Sequence, residues 1–218
     1  MKNSEPIKTS AFDNSVWQQF LPLEALQDMK NATQQRTLHP GQRLSEIGET
    51  SNYLFGVERG FVAIHTDDDH QLDVIGHIFG PGEWFGIAAI LSDKPRFVGS
   101  SALTDVRVLQ VPKIAFERLA QKHPILWKAI AVLSAMNAEV AVRVARDTLI
   151  KSPTDRCAAT LNRLVGRQPL PCELPITQSQ LADICSLSRG AVSKALAALE
   201  ATGFIARGYS SITVNGPP

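Results

Sequence analysis

Ser188, Arg189, Gly190, Ser193 and Lys194 crowd the first turns of a stretch that reads as a helix. A guanidinium or ammonium group there can donate to guanine O6 and N7 or to phosphate, and a helix of this size fits the major groove of B-DNA. Across the same stretch Val192, Leu196 and Leu199 recur at steps of four and three, an apolar stripe that turns the polar residues outward. A preceding helix is predicted by Thr177 with Gln180 three residues on, the pattern of a capping box. It runs to about Cys185, with Leu181, Ala182, Ile184 and Cys185 on or near its buried side. After a short turn Ser188 caps the second helix, which reaches Thr202 and ends at Gly203. Residues 205–214 read as a small β-hairpin wing. Thr177 and Gln178 complete the candidate DNA-contact set of Thr177, Gln178, Ser188, Arg189, Gly190, Ser193 and Lys194. An ordinary helical hairpin with a solvated basic face has the same spacing; the wing favours DNA reading.

Composition bounds the setting. The chain has 218 residues and a net charge of +1, enough for one large domain or two modest ones with real cores. From Ile150 onward seven Lys/Arg stand against four acids, and the preceding residues hold 15 against 17. That asymmetry fits nucleic-acid binding through one end. Cys157, Cys172 and Cys185 form no CxxC pair and no metal-ligand spacing with histidine. They read as reduced thiols of a cytoplasmic protein, Cys185 serving as a small apolar residue in the helix pair. No signal peptide and no run of about 18 apolar residues is found, so no membrane association is expected.

These residues need elements to hold them. Residues 1–14 are polar and read as loosely ordered; residues 15–31 read as one helix, capped by Ser15, with Val16, Phe20, Leu23 and Leu26 on one side. Past Thr37, short β-like runs at 53–58, 60–66, 73–78, 100–103 and 106–112 alternate with glycines. Such texture indicates a sandwich or jelly-roll barrel, with Asp67-Asp68-Asp69-His70 as a hairpin tip. Residues 112–121 read as a short helix. A long helix then runs from near Pro124 to about Leu149, with Leu126, Ile130, Leu133, Asn137, Val140 and Val144 at steps of 4, 3, 4, 3 and 4. This is a heptad seam, predicted to pair two copies in parallel with Asn137 fixing register. Ser152, Pro153 and Asp155 open the next helix, which stops at Gly166. The predicted fold is α+β in three parts. Residues 1–123 form an effector-sensing β-roll with its N-terminal helix, 124–150 a dimerisation helix, and 151–218 a winged helix-turn-helix.

In that order the chain resembles the bacterial cyclic-AMP receptor / fumarate-nitrate regulator (Crp/Fnr) family, over nearly its whole length from Ser15. In the β-roll the resemblance rests on His39-Pro40-Gly41, Gly48-Glu49, Leu54, Val57, Gly60, Val62, Pro81-Gly82-Glu83-Trp84-Phe85-Gly86 and Pro95-Arg96. Nearer the C-terminus it rests on Thr177-Gln178, Leu181-Ala182, Leu187-Ser188-Arg189, Val192-Ser193, Leu196, Leu199-Glu200 and Gly203-Phe204-Ile205. The resemblance implies a homodimer on a near-palindromic site in double-stranded DNA, a signal sensed in the β-roll, and RNA polymerase as a partner. Two departures stand out: Gly190 replaces a glutamate that accepts from cytosine, and Ser186 replaces a turn glycine.

The resemblance also implies an effector pocket at Phe85, Gly86, Ile87, Ala88, Arg96, Phe97, Val98, Ala141 and Val142. Where cyclic-AMP-binding members carry a glutamate, an arginine, a Ser/Thr and two base-reading hydroxyls, this chain has Ile87, Arg96, Phe97, Ala141 and Val142. Only the arginine is kept, and each buried orphan costs about 1–3 kcal/mol. No cofactor is expected, and an apolar or acidic effector, or none, is expected in place of cyclic AMP. An iron–sulfur sensor would need cysteines before Cys157, and His77 reads as a strand residue facing water, not a haem ligand. Two other functions suit parts of the pattern. A β-roll module could regulate a protein partner, with the C-terminal part as an assembly domain. A jelly-roll metalloenzyme would need paired histidines, and His39, His65, His70, His77 and His123 are not so spaced.

Overall fold

A computed structural model of the chain describes residues 11–13, 15, 17–50, 52–67 and 73–216. The expectations for residues 1–10, for Val16 and for the tip at Asp68-Asp69-His70 lie outside these residues. The single N-terminal helix is two, α1 (Trp17–Phe20) and α2 (Leu23–Asn31). Pro22 stands between them, where its missing N–H cannot continue the ladder. Leu23 is consequently exposed, and Trp17, Ala25 and Met29 are buried instead. Ser15 does not cap; its hydroxyl donates to the Phe12 carbonyl at 2.7 Å. Ala11 and Phe12 are buried, not loosely ordered, against Trp84, whose indole N–H donates to the Ala11 carbonyl at 3.1 Å.

The β-roll follows as β1 (Gln34–Leu38), β2 (Arg43–Ser45), β3 (Tyr53–Arg59), β4 (Val62–Asp67), β5 (Asp73–Phe79) and β6 (Trp84–Phe85), then α3 (Ile87–Leu91), β7 (Gly99–Ala102) and β8 (Val106–Pro112). Two antiparallel four-stranded sheets result, ordered β1-β8-β3-β6 and β2-β7-β4-β5. Their inner faces meet over Leu38, Phe55, Val57, Val62, Phe79, Phe85 and Val108. Gly56 lies under the Trp84 indole so closely that a Cβ would fall 2.6 Å from the ring, which only glycine permits.

Each sheet is covered on its outer face too. α4 (Lys113–Lys122) and the long α5 (Ile125–Thr148) join the N-terminal helices over Leu54, Trp84, Leu109 and Val111. The outer face of the second sheet takes the C-terminal module. In β5 Gly76 is an extra residue: Ile64 pairs with His77 and His65 with Ile75. This bulge turns Ile75 and Ile78 to the same outer side, where they join a core with Leu161, Leu164, Leu181 and Ile184.

The predicted seam of α5 faces inward. Leu126, Ile130 and Leu133 are buried in the chain's own core, and Asn137 donates to the Trp84 carbonyl at 3.1 Å. A second line on the opposite side, Ala131, Ala135, Ala138, Val142, Ala145 and Leu149, is exposed throughout and keeps the same steps of 4, 3, 4, 3 and 4. Large side chains went to the core because they bury more area than alanine. By length and composition α5 is also apolar enough to cross a membrane; Lys128, Asn137 and Glu139 break the unbroken run sought in the sequence.

The C-terminal part comprises α6 (Pro153–Val165), β9 (Cys172–Leu174), α7 (Gln178–Cys185), α8 (Arg189–Ala201), β10 (Ile205–Arg207) and β11 (Ile212–Val214). Ser152 caps α6 by accepting from Asp155 N, as its sequence predicts. The wing is a three-stranded sheet, β10-β11-β9, not a lone hairpin. The third strand comes from the proline-rich connection, whose Cys172 and Leu174 are buried on the module core.

Candidate nucleic-acid interface and effector cavity

At the start of α7 the capping box is reciprocal: Thr177 Oγ1 accepts from Gln180 N at 3.2 Å and Gln180 Oε1 accepts from Thr177 N at 2.8 Å. Ser188 accepts from Ala191 N at 3.2 Å and sets the entry to α8. Val192, Ala195, Leu196 and Leu199 are buried, which fixes the rotation of α8. Thr177, Gln178, Ser188, Arg189, Gly190, Ser193 and Lys194 all come out exposed. Arg189 and Lys194 have no ion pair among the described residues, unlike Arg207, whose guanidinium grips Glu200 and ties the wing to α8. Nothing lies within 4 Å of a Cβ built on Gly190, so the fold does not demand glycine there. Arg156, which the sequence reading passed over, braces the module by donating to the carbonyls of Ile150 and Cys185.

The β-roll holds a cavity of about 660 Å³. Phe85, Gly86, Ile87, Ala88, Arg96, Phe97, Val98 and Ala141 line it as expected; Val142 does not, being 67% exposed on the far side of α5. Ile64, His77, Phe79, Leu91, Val140 and Val144 line it as well. Asn137, Val140 and Val144, assigned from sequence to the dimer seam, are thus cavity wall. Arg96 lies over the Phe55 ring at 5.1 Å and donates to the Tyr53 carbonyl at 3.4 Å. Burial holds its pKa below the ordinary value, with Glu49 acting in the opposite sense. No carboxylate lines the cavity among the described residues, and Ile87 is buried in its wall.

His77 corrects the expectation of a strand residue facing water. It is buried, lines both this cavity and a smaller one of about 300 Å³ at the junction with α6, and meets Phe79 edge-on at 4.9 Å. Its Nδ1 accepts from Arg163 Nη1 at 3.1 Å. Burial, then the Arg163 charge, depress its pKa to about 3. Arg163 also meets Asp147 at 2.8 Å in an ion pair with side chains 5% and 3% exposed. Beside them Gln168 donates to the Pro81 carbonyl at 2.8 Å. The Glu83 carboxylate accepts from Gly80 N at 2.6 Å, and burial pushes its pKa up to about 7. Strand, long helix and DNA-binding module are therefore joined through polar groups that no periodicity marks. One cluster with ligand-type atoms, Glu24, Asp28 and His123, already embraces an ammonium: Lys122 Nζ lies 2.8 Å from both carboxylates.

Comparison with known proteins agrees with the two halves. Residues 35–123 match the cyclic nucleotide-binding domain and residues 155–218 the Crp-like helix-turn-helix domain. A β-roll of the cyclic nucleotide-binding type joined to a Crp-like helix-turn-helix defines the class. The chain belongs to the Crp/Fnr family of transcription regulators. It is 26% identical to the cyclic AMP receptor protein of Thermus thermophilus over 181 residues, 83% of each chain. A stretch of 99 residues is 31% identical to a cyclic nucleotide-gated potassium channel of Mesorhizobium japonicum, 45% of this chain and 26% of the channel. The chain thus spans about a quarter of the first curated relatives it matches, the channel and a fungal cAMP-dependent protein kinase regulatory subunit from Eremothecium gossypii. Its fold is similar to the c-di-GMP responsive global regulator CLP of Xanthomonas campestris (TM-score 0.70, 20% identity, 90% and 100% of the two chains). It is also similar to FixK2 of Bradyrhizobium japonicum (TM-score 0.72, 19% identity, 84% and 93%).

Proposed function

We propose that the chain is a cytoplasmic, sequence-specific DNA-binding regulator of transcription that works as a homodimer on a near-palindromic site. The carrying observation is that Arg189 and Lys194 are exposed and have no ion pair among the described residues, in the first turns of an α8 whose start Ser188 caps. Their charges are free for phosphate or guanine, and the rigid stripe beneath them holds them in one orientation. Binding, not catalysis, is the proposed activity, with RNA polymerase the partner on the promoter. The dimer forms through the exposed line from Ala131 to Leu149. Alanines there let two helices approach closely, and the same line accounts for the apolar exposure of α5 without a membrane. The effector is not cyclic AMP, because Ile87 and Ala141 stand where its ribose and base would need partners and Arg96 alone remains for its phosphate.

The test is fluorescence anisotropy with a labelled duplex recovered from the source genome by the protein. Arg189→Ala/Lys194→Ala should lose at least about tenfold in affinity and show a shallower salt slope. Unchanged affinity and slope in the double variant would remove the reading.

A further inference from the structure

The turn from Gly80 to Glu83, between β5 and β6, lies against the C-terminal end of α6. Gln168 Nε2 donates to the Pro81 carbonyl at 2.8 Å, and a Cβ on Gly80 would fall 3.2 Å from that same nitrogen. Within the turn Glu83 N donates to the Gly80 carbonyl at 3.2 Å. The Glu83 carboxylate returns to Gly80, accepting from its N–H through Oε2 at 2.6 Å. Its other oxygen, Oε1, lies by Gly166, where a Cβ would stand 3.2 Å away. Gly166 is the C-cap of α6, with φ 59°. One carboxylate therefore sits between a turn of the β-roll and the end of the first helix of the C-terminal module.

That position is poor for a negative charge. Carbonyls at the end of a helix form the negative pole of its macrodipole, and burial removes the water that would solvate a carboxylate. The cavity of about 300 Å³ that Glu83 lines holds five other charged or titratable groups: His77 from β5, Glu139 and Arg143 from α5, Arg163 from α6, and Arg167. Arg143 is engaged by Glu139, its Nε donating at 3.1 Å, and Arg163 by Asp147 at 2.8 Å. His77, its pKa depressed to about 3, is uncharged near neutrality. Arg167 is the cation that acts on Glu83, and together with the Gly80 N–H it favours the ionised form. Burial outweighs both and carries the pKa up to about 7.

We propose that Glu83 is a proton-operated latch between the β-roll and the C-terminal module: protonated, it lets the 80–83 turn close on the end of α6, and ionised, it parts them. The apolar contact of Ile75 and Ile78 with Leu161 and Leu164 carries no charge and stays, so the release is local. Away from the junction the carboxyl returns to its ordinary pKa of 4.5, against about 7 when docked. Opening thus releases a proton between those two values. The opening equilibrium should rise by up to about tenfold per pH unit from pH 4.5 and level off past pH 7. The latch is a property of the packed chain and holds whatever the module binds.

The experiment is amide hydrogen exchange on the full chain across about pH 5 to pH 8, read by mass spectrometry and corrected for the intrinsic exchange rate at each pH. Peptides covering residues 80–84 and 163–168 should lose at least about tenfold in protection between pH 5 and pH 7, and little more above it. Peptides from β8 are the reference and should keep their protection throughout. In Glu83→Gln, neutral at every pH, the fall should vanish and protection should stay at the level the wild type has in acid. The wild-type profile needs no variant to fold. Protection independent of pH in the wild type, an equal fall in Glu83→Gln, or a parallel fall in β8 would each overturn the proposal.

Discussion

Ser186 has the left-handed conformation at the end of α7, φ 52°, where the family carries glycine. A side chain there costs about 1–2 kcal/mol, and Ser186 is exposed with its N–H already bonded to the Asp183 carbonyl. Ser186→Gly should therefore raise stability by about 1 kcal/mol in urea unfolding; no gain would show the turn to be unstrained. Two titrating groups at the junction act in opposite directions. Glu83 has its folded pKa raised from 4.5 to about 7, so its contribution is full below pH 4.5 and is lost as pH rises to about 7. His77 has its pKa depressed from 6.5 to about 3, so its contribution is full above pH 6.5 and is lost as pH falls toward 3. Glu83→Gln should flatten the stability–pH curve on its neutral side and His77→Phe on its acid side. Melting curves that keep the wild-type profile in both variants would contradict the junction electrostatics.

The elements were legible where their signals are local. Thr177/Gln180 and Ser152/Asp155 mark helix starts through hydrogen bonds within one turn, and both caps form. The face of α5 was not legible, because that helix carries two heptad lines and periodicity cannot say which one the chain keeps for itself. The choice depends on Trp84 and the N-terminal helices, distant in sequence. The third wing strand was missed because Cys172 and Leu174 pair with β11 across the whole helix-turn-helix. The two lines of α5 can be separated. Ile130→Ala should destabilise the folded chain by about 2–5 kcal/mol, since Ile130 is 1% exposed. Ala138→Glu should leave the fold intact and give a monomer in sedimentation, because it places like charges across the proposed helix pair. A dimer that survives Ala138→Glu but is lost with surface changes elsewhere would relocate the interface.

At the scale of the molecule the β-roll and DNA-binding module are packed together, through Ile75 and Ile78 on one side and the Asp147–Arg163–His77 chain on the other. No sequence motif announces this contact; it depends on a bulge at Gly76 and on single polar residues from three elements. Asp147→Ala would leave Arg163 buried without its carboxylate and should cost about 3–5 kcal/mol. A smaller loss in chemical unfolding would show the junction to be open to water. Two copies joined along α5 would present two α8 tips to one face of a duplex, matching half-sites about 34 Å apart. Selection of the full-length protein on random duplexes tests this most directly. The account predicts enrichment of a two-fold-symmetric sequence with half-sites one helical turn apart, lost in Arg189→Ala/Lys194→Ala. Enrichment that persists in the double variant, or no enriched sequence at all, would contradict it.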